Sequence, residues 1–447
     1  MDEYRNRDPE TASARSRTAA PDPAQPLPLA PGMEAAPQGY GPLIAPMSDM
    51  QRPLRQQVFE CVRAAGAISR AQIAKDVCIS PASVTTLAAD LIEAGFLTEV
   101  AIPREAQDGG RGRPPVALGV RADAFAVCGI KLSDHEHGAV ILDFAGRELA
   151  RLCAPSAGSQ SLADTLSTLE HLVAAAADRA GLTPGALAGV GVGLPGLVDA
   201  EAGRVPWSPL LSGENVALAA AAEARLGLPV SLDNDANLVA LAELWFGVGR
   251  RAADFAVVTV EQGVGMGLVL NHRLYRGARG LGMELGHVKV QLDGALCRCG
   301  QRGCLEAYIA DYALAREASA ALGRIGEPEL STPQLLDALH ERAMAGDAAA
   351  RSIFNRAGRY LALGLANVVN LFDPEIVILA GERMRYKRLY AEDTLADMSR
   401  LVLATGRPAP RIEVHSWGDQ LWAYGAAALA LAAVTERHLG AAREEVA

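Results

Sequence analysis

No apolar stretch in the sequence is long enough to span a bilayer. The best candidate, Ala423 to Val434, is too short, which excludes a helical membrane span. The start of the chain also lacks the apolar core of a secretory signal, because Met1 to Arg17 carries acidic and basic groups with no apolar run behind them. Positive charge is in deficit: 42 Lys and Arg stand against 52 Asp and Glu, a net charge of −10. That balance excludes a chain that coats nucleic acid along its whole length, yet it leaves room for one small DNA-binding module, whose affinity depends on local charge. Cysteine is scarce and odd in number, seven in 447 residues, and three of the seven crowd together at Cys297, Cys299 and Cys304. Such usage fits metal binding in a reducing compartment and not a disulfide framework. These absences predict a soluble, cytoplasmic protein with no membrane partner.

Half of the residues are hydrophobic, ample for a large core, and the length suits two or three domains. Residues 1–48 are rich in Pro, Ala, Gly and charge without a sustained apolar period, a composition that predicts a disordered tail. Periodicity starts at Leu54, with Leu54, Val58 and Val62 on one helical face that ends at Ala65-Gly66. Ser69 is placed to cap a short helix carrying Ile73 and Val77. Ser80-Pro81 starts a third, with Val84, Leu87, Leu91 and Ile92 inward and Gly95 at its close. Phe96 to Val100 reads as a strand and Pro115 to Val120 as its partner, around a turn-rich basic tip from Gln107 to Pro114. Three helices and a two-stranded wing predict a winged helix-turn-helix domain over residues 49–121.

From Ala124 the pattern changes to alternating strands and helices, and residues 122–440 are predicted to form an α/β domain. Strand-like runs cover Phe125 to Leu132, Ala139 to Asp143, Leu187 to Gly193, Val230 to Leu232, Phe255 to Val260, Met266 to Leu270 and Ile376 to Leu379. Leu162 to Ala180 and Val216 to Leu226 read as Ala/Leu-rich helices. No low-complexity linker follows the wing, so the two parts are expected to be closely attached.

In a helix-turn-helix the second helix enters the major groove, and here it offers Ser80, Ser83, Thr85 and Thr86, short polar side chains without charge. Phosphate attraction must then come from elsewhere, with Arg52, Arg55, Arg70 and Lys75 as candidates. Arg111 and Arg113 flank Gly112 at the wing tip, an extended basic segment suited to a narrow A/T-rich minor groove. Farther along, His287 precedes Cys297, Cys299 and Cys304, three thiolates and one imidazole. A closed Cys3His set is typical of structural zinc, with no open position for a catalytic water, and Gly300 and Gly303 permit the turns that bring the thiolates to one ion.

The order of several motifs resembles the ROK family, which joins bacterial repressors, open reading frames and sugar kinases. The matching segments are Gly191 to Asp199, Asn234-Asp235-Ala236-Asn237, Glu284 to His287 and the cysteine cluster, and the preceding winged helix extends the likeness to the repressor branch. The resemblance implies a body with the actin and hexokinase (ribonuclease H-like) fold, two lobes around a cleft. It also implies a sugar site in which Asn234 and Asp235 bind hydroxyls, Asp235 standing where the kinases keep their general base, with Glu284, His287 and Glu306 completing the ring. Carboxylates and amides that donate and accept in pairs are the chemistry a polyol requires.

The nucleotide half departs from the kinases. Their Asp-Ile-Gly-Gly-Thr phosphate loop corresponds to the stretch Gly129-Ile130-Lys131-Leu132-Ser133-Asp134, with Lys131 in place of the acid and without the glycine pair. The second loop begins with Glu261, the wrong charge beside a triphosphate, and the adenosine-side glycine run shrinks to Ala380-Gly381-Glu382. The combined expectation is a non-enzymatic, sugar- or sugar-phosphate-responsive transcriptional repressor of carbohydrate uptake or catabolism genes. It would bind operator DNA as a homodimer or homotetramer. The rival expectation is an active ATP-dependent sugar kinase with an appended regulatory head.

Overall fold

The structure, a computed structural model, describes residues 39–43, 52–101, 116–323, 330–403, 406, 408, 410–415 and 420–440. The head begins with helix α1 (Leu54–Ala65), followed by α2 (Arg70–Asp76) and α3 (Pro81–Glu93). Local chemistry sets these boundaries. Ser69 accepts a hydrogen bond from the Gln72 amide at 3.2 Å, Ser80 accepts one from the Ser83 amide at 3.0 Å, and Pro81 opens α3 where its missing amide hydrogen costs nothing. Cys78 makes the turn between α2 and α3 in a left-handed conformation (φ 57°). Val58, Val62, Ile73, Val84 and Leu91 are buried as the periodicity predicts. Leu54 is not: it is 46% exposed, because the first residue of a helix has packing neighbours on one side only. Strands β1 (Leu97–Ala101) and β2 (Val116–Val120) pair antiparallel to form the wing, from Leu97 opposite Val120 to Ala101 opposite Val116. The tip, with Arg111 and Arg113, lies outside the described residues.

The first lobe of the body contains β3 (Ala126–Lys131), β4 (Glu136–Asp143), β5 (Glu148–Pro155), α4 (Leu162–Arg179), β6 (Leu187–Leu194), β7 (Leu197–Asp199), β8 (Arg204–Trp207), α5 (Leu218–Leu226) and β9 (Val230–Asn234). Helix α6 (Asp235–Phe246) leads to the second lobe, with β10 (Phe255–Val260), β11 (Val264–Leu270), β12 (Arg273–Tyr275), α7 (Glu306–Ile309), α8 (Asp311–Ala321), α9 (Thr332–Met344), α10 (Ala348–Phe372), β13 (Ile376–Ala380), α11 (Lys387–Leu401) and β14 (Arg411–Val414). Helix α12 (Leu421–Leu439) then returns to the first lobe.

The two main sheets have the same design. One is ordered β5-β4-β3-β6-β9 and the other β12-β11-β10-β13-β14, each with two antiparallel pairings followed by two parallel ones. Helices α6 and α12 pack against each other, and Gly425 lets them approach: a Cβ there would stand 1.9 Å from the Leu238 carbonyl oxygen. No helix among the described residues is long and apolar enough to cross a membrane.

Head and body share one core. Val58, Phe59, Leu91 and Leu118 of the head join Val127, Phe144, Trp245 and α12 of the body in a single buried cluster. The Phe59 and Phe144 rings stack with centroids 5.3 Å apart, and Phe125 meets Phe144 edge-on at 5.0 Å. The expected disordered tail fails at residues 39–43. Tyr40 is 6% exposed and stacks on Phe246, and the Gly41 amide donates to the Trp245 carbonyl at 2.7 Å. A reading of average composition overlooks one aromatic anchor held by a few backbone bonds.

Candidate functional site

The C-terminal end of β9 and the first turn of α6 present Asn234 and Asp235. Asn234 caps α6, its Oδ1 accepting from the Ala236 amide at 2.8 Å while its Nδ2 donates to the Gly196 carbonyl at 2.7 Å. These bonds fix the side chain and leave part of its hydrogen-bonding capacity free. Behind it lies Asp233, fully buried, which accepts from Arg276 Nε (2.8 Å) and Nη2 (2.6 Å), from Asn237 Nδ2 (2.8 Å) and from the Asn234 amide (2.8 Å). The sequence reading missed Asp233 and Arg276; an acid at the end of the apolar run Val-Ser-Leu was the available signal. Burial pushes the Asp235 carboxyl up to about 6, against the opposing pull of the Ala236 amide and the Lys131 ammonium.

Loops of the second lobe supply the facing side. Partial burial, with 44% of the Glu284 side chain still exposed, pushes its carboxyl up to about 7, aided by the negative charges of Asp235 and Glu306. Asp235, Glu284 and Glu306 thus lie within electrostatic reach of one another. Glu306 opens α7 at 9% exposure; its Oε2 accepts from the Val264 amide at 3.3 Å, and its Oε1 accepts from Tyr312 Oη and Cys297 Sγ, each at 3.5 Å. Much of its capacity is therefore used inside the protein. His287 faces both groups of residues: Nδ1 lies 3.8 Å from Cys297 Sγ, and Nε2 lies 4.0 Å from Glu284 Oε2. One imidazole can serve the cysteine cluster and border the acidic cleft at once.

The ligand atoms of His287, Cys297, Cys299 and Cys304 all lie within 4.8 Å of one another, with Cys299 Sγ 3.7 Å from Cys304 Sγ. A tetrahedral ion at zinc–thiolate bond lengths has sulfur–sulfur edges of about 3.8 Å, so the donor set fits one metal ion. Gly303 (φ 77°) is required for the turn: a Cβ there would stand 1.6 Å from the Gln291 carbonyl oxygen. Lys289 Nζ sits 2.9 Å from Cys304 Sγ and 2.6 Å from Gln301 Oε1, an ammonium placed to offset the excess negative charge of three thiolates.

On the other side of the cleft, Lys131 ends β3 with its ammonium 4.1 Å from the centre of the Trp422 ring. Gln262, in the β10–β11 turn, reaches His135 Nε2 of the first lobe at 2.6 Å. A side-chain contact therefore joins the two loops that hold phosphates in the kinase motifs.

In the head, Ser80, Ser83, Thr85 and Thr86 are all exposed on α3. Ser80 and Ser83 hydroxyls bond each other at 2.8 Å, and Thr85 and Thr86 donate back to the Pro81 and Ala82 carbonyls at 2.9 and 3.3 Å. Two of the basic candidates turn elsewhere. Arg52 pairs with the buried Glu60 at 2.5 Å, and Arg55 lies over the Phe96 ring, because α1 packs toward the body. Arg70 pairs with Glu99 of the wing at 2.8 Å, while Lys75 is exposed.

A duplicated five-stranded fold, facing acids at its strand ends and a Cys3His loop stand together with a match to the ROK family model over residues 127–433. The chain belongs to the ROK family. It is 30% identical over 331 residues to the xylose repressor of Caldicellulosiruptor bescii, covering 73% of this chain and 82% of that one. A crystal structure of a ROK family transcriptional regulator, a homologue of the E. coli MLC protein, superposes with a TM-score of 0.72 at 26% identity, covering 86% of this chain and 96% of its own. The ROK hexokinase of Thermus thermophilus superposes with a TM-score of 0.61 at 32% identity, over 70% of this chain and all of the kinase. The kinase thus matches the body, and the regulator matches further along the chain, consistent with the repressor branch.

Proposed function

We propose that this ROK protein is a sugar-responsive transcriptional repressor of carbohydrate uptake or catabolism genes, not a phosphotransferase. The observation that carries the reading is the joining, through one continuous core, of a winged helix to a kinase-like body with a changed nucleotide side. Its sugar side keeps Asp235, Glu284 and Glu306 in one cluster, whereas Lys131 replaces the acid of the first phosphate loop and Glu261 enters the second. Asn234, Asp235, Glu284, His287 and Glu306 form the sugar site. His287, Cys297, Cys299 and Cys304 hold a structural zinc, which orders the loop between Glu284 and Glu306. Ser80, Ser83, Thr85, Thr86, Arg111 and Arg113 read operator DNA, and two copies of the chain present paired heads to a two-fold operator in the cytoplasm. Sugar changes DNA affinity only to the extent that it binds the DNA-competent and DNA-incompetent arrangements differently.

One observation favours the kinase reading: an Asp235 pKa of about 6 suits a general base. Both readings meet in one set of measurements on the full-length protein. DNA fragments selected from a random pool give the operator, titration with xylose, glucose, N-acetylglucosamine and their phosphates measures release, and an ATP-coupled assay measures turnover. Operator release by a sugar without turnover is the expected result. Turnover abolished by Asp235→Asn would replace the repressor reading with the kinase one.

A further inference from the structure

Helix α6 has a candidate ligand site at one end and the DNA head at the other. Asn234 caps its first turn, and Trp245 lies in its last. The ten residues from Ala236 to Trp245 are all buried, so no free face allows the helix to bend away from its neighbours. Its 12 residues span about 18 Å at 1.5 Å per residue, from the candidate ligand residues to the joint with the head.

At the Trp245 end the segment Gly39–Leu43 is stitched between α6 and the head. Gly41 N donates to the Trp245 carbonyl at 2.7 Å, and Tyr40 N donates to the Arg63 carbonyl of α1 at 3.1 Å. Arg250, in the turn after α6, gathers three backbone oxygens: Nε donates to Gly41 at 2.9 Å, Nη1 to Gly39, and Nη2 to Ala64 of α1 at 2.7 Å. The Tyr40 hydroxyl donates to the Phe144 carbonyl, and the Arg63 guanidinium lies 4.5 Å from the centre of the Trp245 ring and 5.8 Å from that of Tyr40. Space is tight here, since a Cβ on Gly39 would stand 2.3 Å from the Ala64 carbonyl oxygen.

The joint is also under electrostatic tension. Arg63 and Arg250 are 3% and 4% exposed. Burial, followed by repulsion from Arg63 and Arg251, holds the Arg250 pKa down at about 10. Opening the joint would hydrate both guanidiniums and would cost Arg250 its bonds to Gly39, Gly41 and Ala64.

We infer that Gly39–Leu43 is a clasp that fastens the DNA head to α6, and that the ligand end of this helix governs the head through it. Tyr40, Arg63 and Arg250 are coupling residues that touch neither sugar nor DNA. The inference rests on the sugar-responsive reading and adds the route by which the response reaches the head.

The test uses full-length wild type, Arg250→Met and Tyr40→Phe, with the selected operator fragment and the sugar that releases it. In wild type, saturating sugar is expected to change the operator Kd by a factor within about 5 to 150. Arg250→Met should reduce that factor to below about 2, while the operator Kd without sugar and the sugar Kd without DNA each stay within about threefold of wild type. A factor preserved in Arg250→Met overturns the clasp. Tyr40→Phe, which removes one hydrogen bond and keeps the ring, should give an intermediate factor and guards against a folding defect in the other variant. Hydrogen exchange supplies a readout that needs no sugar: the amides of Tyr40, Gly41 and Gly66 should exchange at least about tenfold faster in Arg250→Met, with the α3 amides unchanged. Unchanged exchange at Gly41 also overturns the proposal. If no sugar alters operator binding by wild type, the ligand reading fails, and the exchange measurement still decides the clasp.

Discussion

The two lobes have one strand order and build their halves of the cleft by different means. In the first, Asn234 and Asp235 sit where a strand runs straight into a helix, backed by a buried carboxylate with four hydrogen bonds. Regular secondary structure positions them. In the second, Glu284, His287 and Glu306 are carried on or beside an irregular loop whose fixed point is the Cys3His cluster. A fold can therefore be duplicated while the devices that order its strand ends diverge. Here one half is backed by an ion pair, and the other carries a donor set that fits a metal ion.

Stripping the metal is the most severe way to break this comparison. Structural zinc contributes on the order of 10 kcal/mol to the folding of the segment it ties, so Cys304→Ser or exhaustive chelation should unfold the loop from His287 to Cys304. Sugar binding is expected to fall below detection while operator binding persists, and the exchange protection of α6 should remain. Metal analysis with calorimetry checks this; sugar affinity that survives complete metal loss would show that the second half orders itself.

Asp233→Ala attacks the other half. Arg276 loses its partner for both nitrogens, and the Asn234 amide and Asn237 lose their acceptor. Arg276 is 29% exposed and can recover some hydration, so the expected loss of stability is about 2–3 kcal/mol, below the full figure for breaking a buried pair. Thermal unfolding measures it, with metal content unchanged. An equal loss of metal would show that the two halves are not independently ordered.

The smallest effect is that of pH. The Asp235 pKa rises from 3.8 to about 6, so between these values the folded state holds a proton that the unfolded state has lost. Its contribution to stability is fully present below 3.8 and declines as pH rises through about 6. Sugar binding runs the other way, since the ionised carboxylate is the stronger acceptor. Affinity should fall as pH drops through about 6, by about 1 kcal/mol or about fivefold, the difference between a charged and a neutral acceptor. Calorimetry across this range checks it, and Asp235→Asn should flatten this part of the profile. A slope retained in that variant would assign the titration to Glu284, held up at about 7 in the same cluster.

Much of this was legible in residue order. The head's helices follow from Ser69, Ser80, Pro81 and the spacing of Val58, Val62, Val84 and Leu91, because caps and apolar faces are local. The Cys3His set follows from spacing for the same reason. Strand β5 was not legible: Glu-Leu-Ala-Arg-Leu-Cys-Ala-Pro lies at the edge of its sheet, with Leu152 its one buried residue, and shows no clear alternation. Nor was the pairing of Asp233 with Arg276, 43 residues away, since nothing local marks a partner at that distance. Arg52 and Arg55 had the charge for DNA, and the fold gives them partners within the protein, Glu60 and the Phe96 ring.

The sequence by itself determined the kinds of part present: a winged head, an α/β body, a thiolate cluster and an acidic motif at a strand end. Each is written in contacts a few residues long, where propensity and spacing suffice. Only the tertiary structure decided that head and body share one core, that Tyr40 leaves the expected tail to join them, and that one helix runs from the candidate ligand residues to that joint. Such outcomes depend on which surfaces meet when apolar area is buried, and close packing settles that across the whole chain.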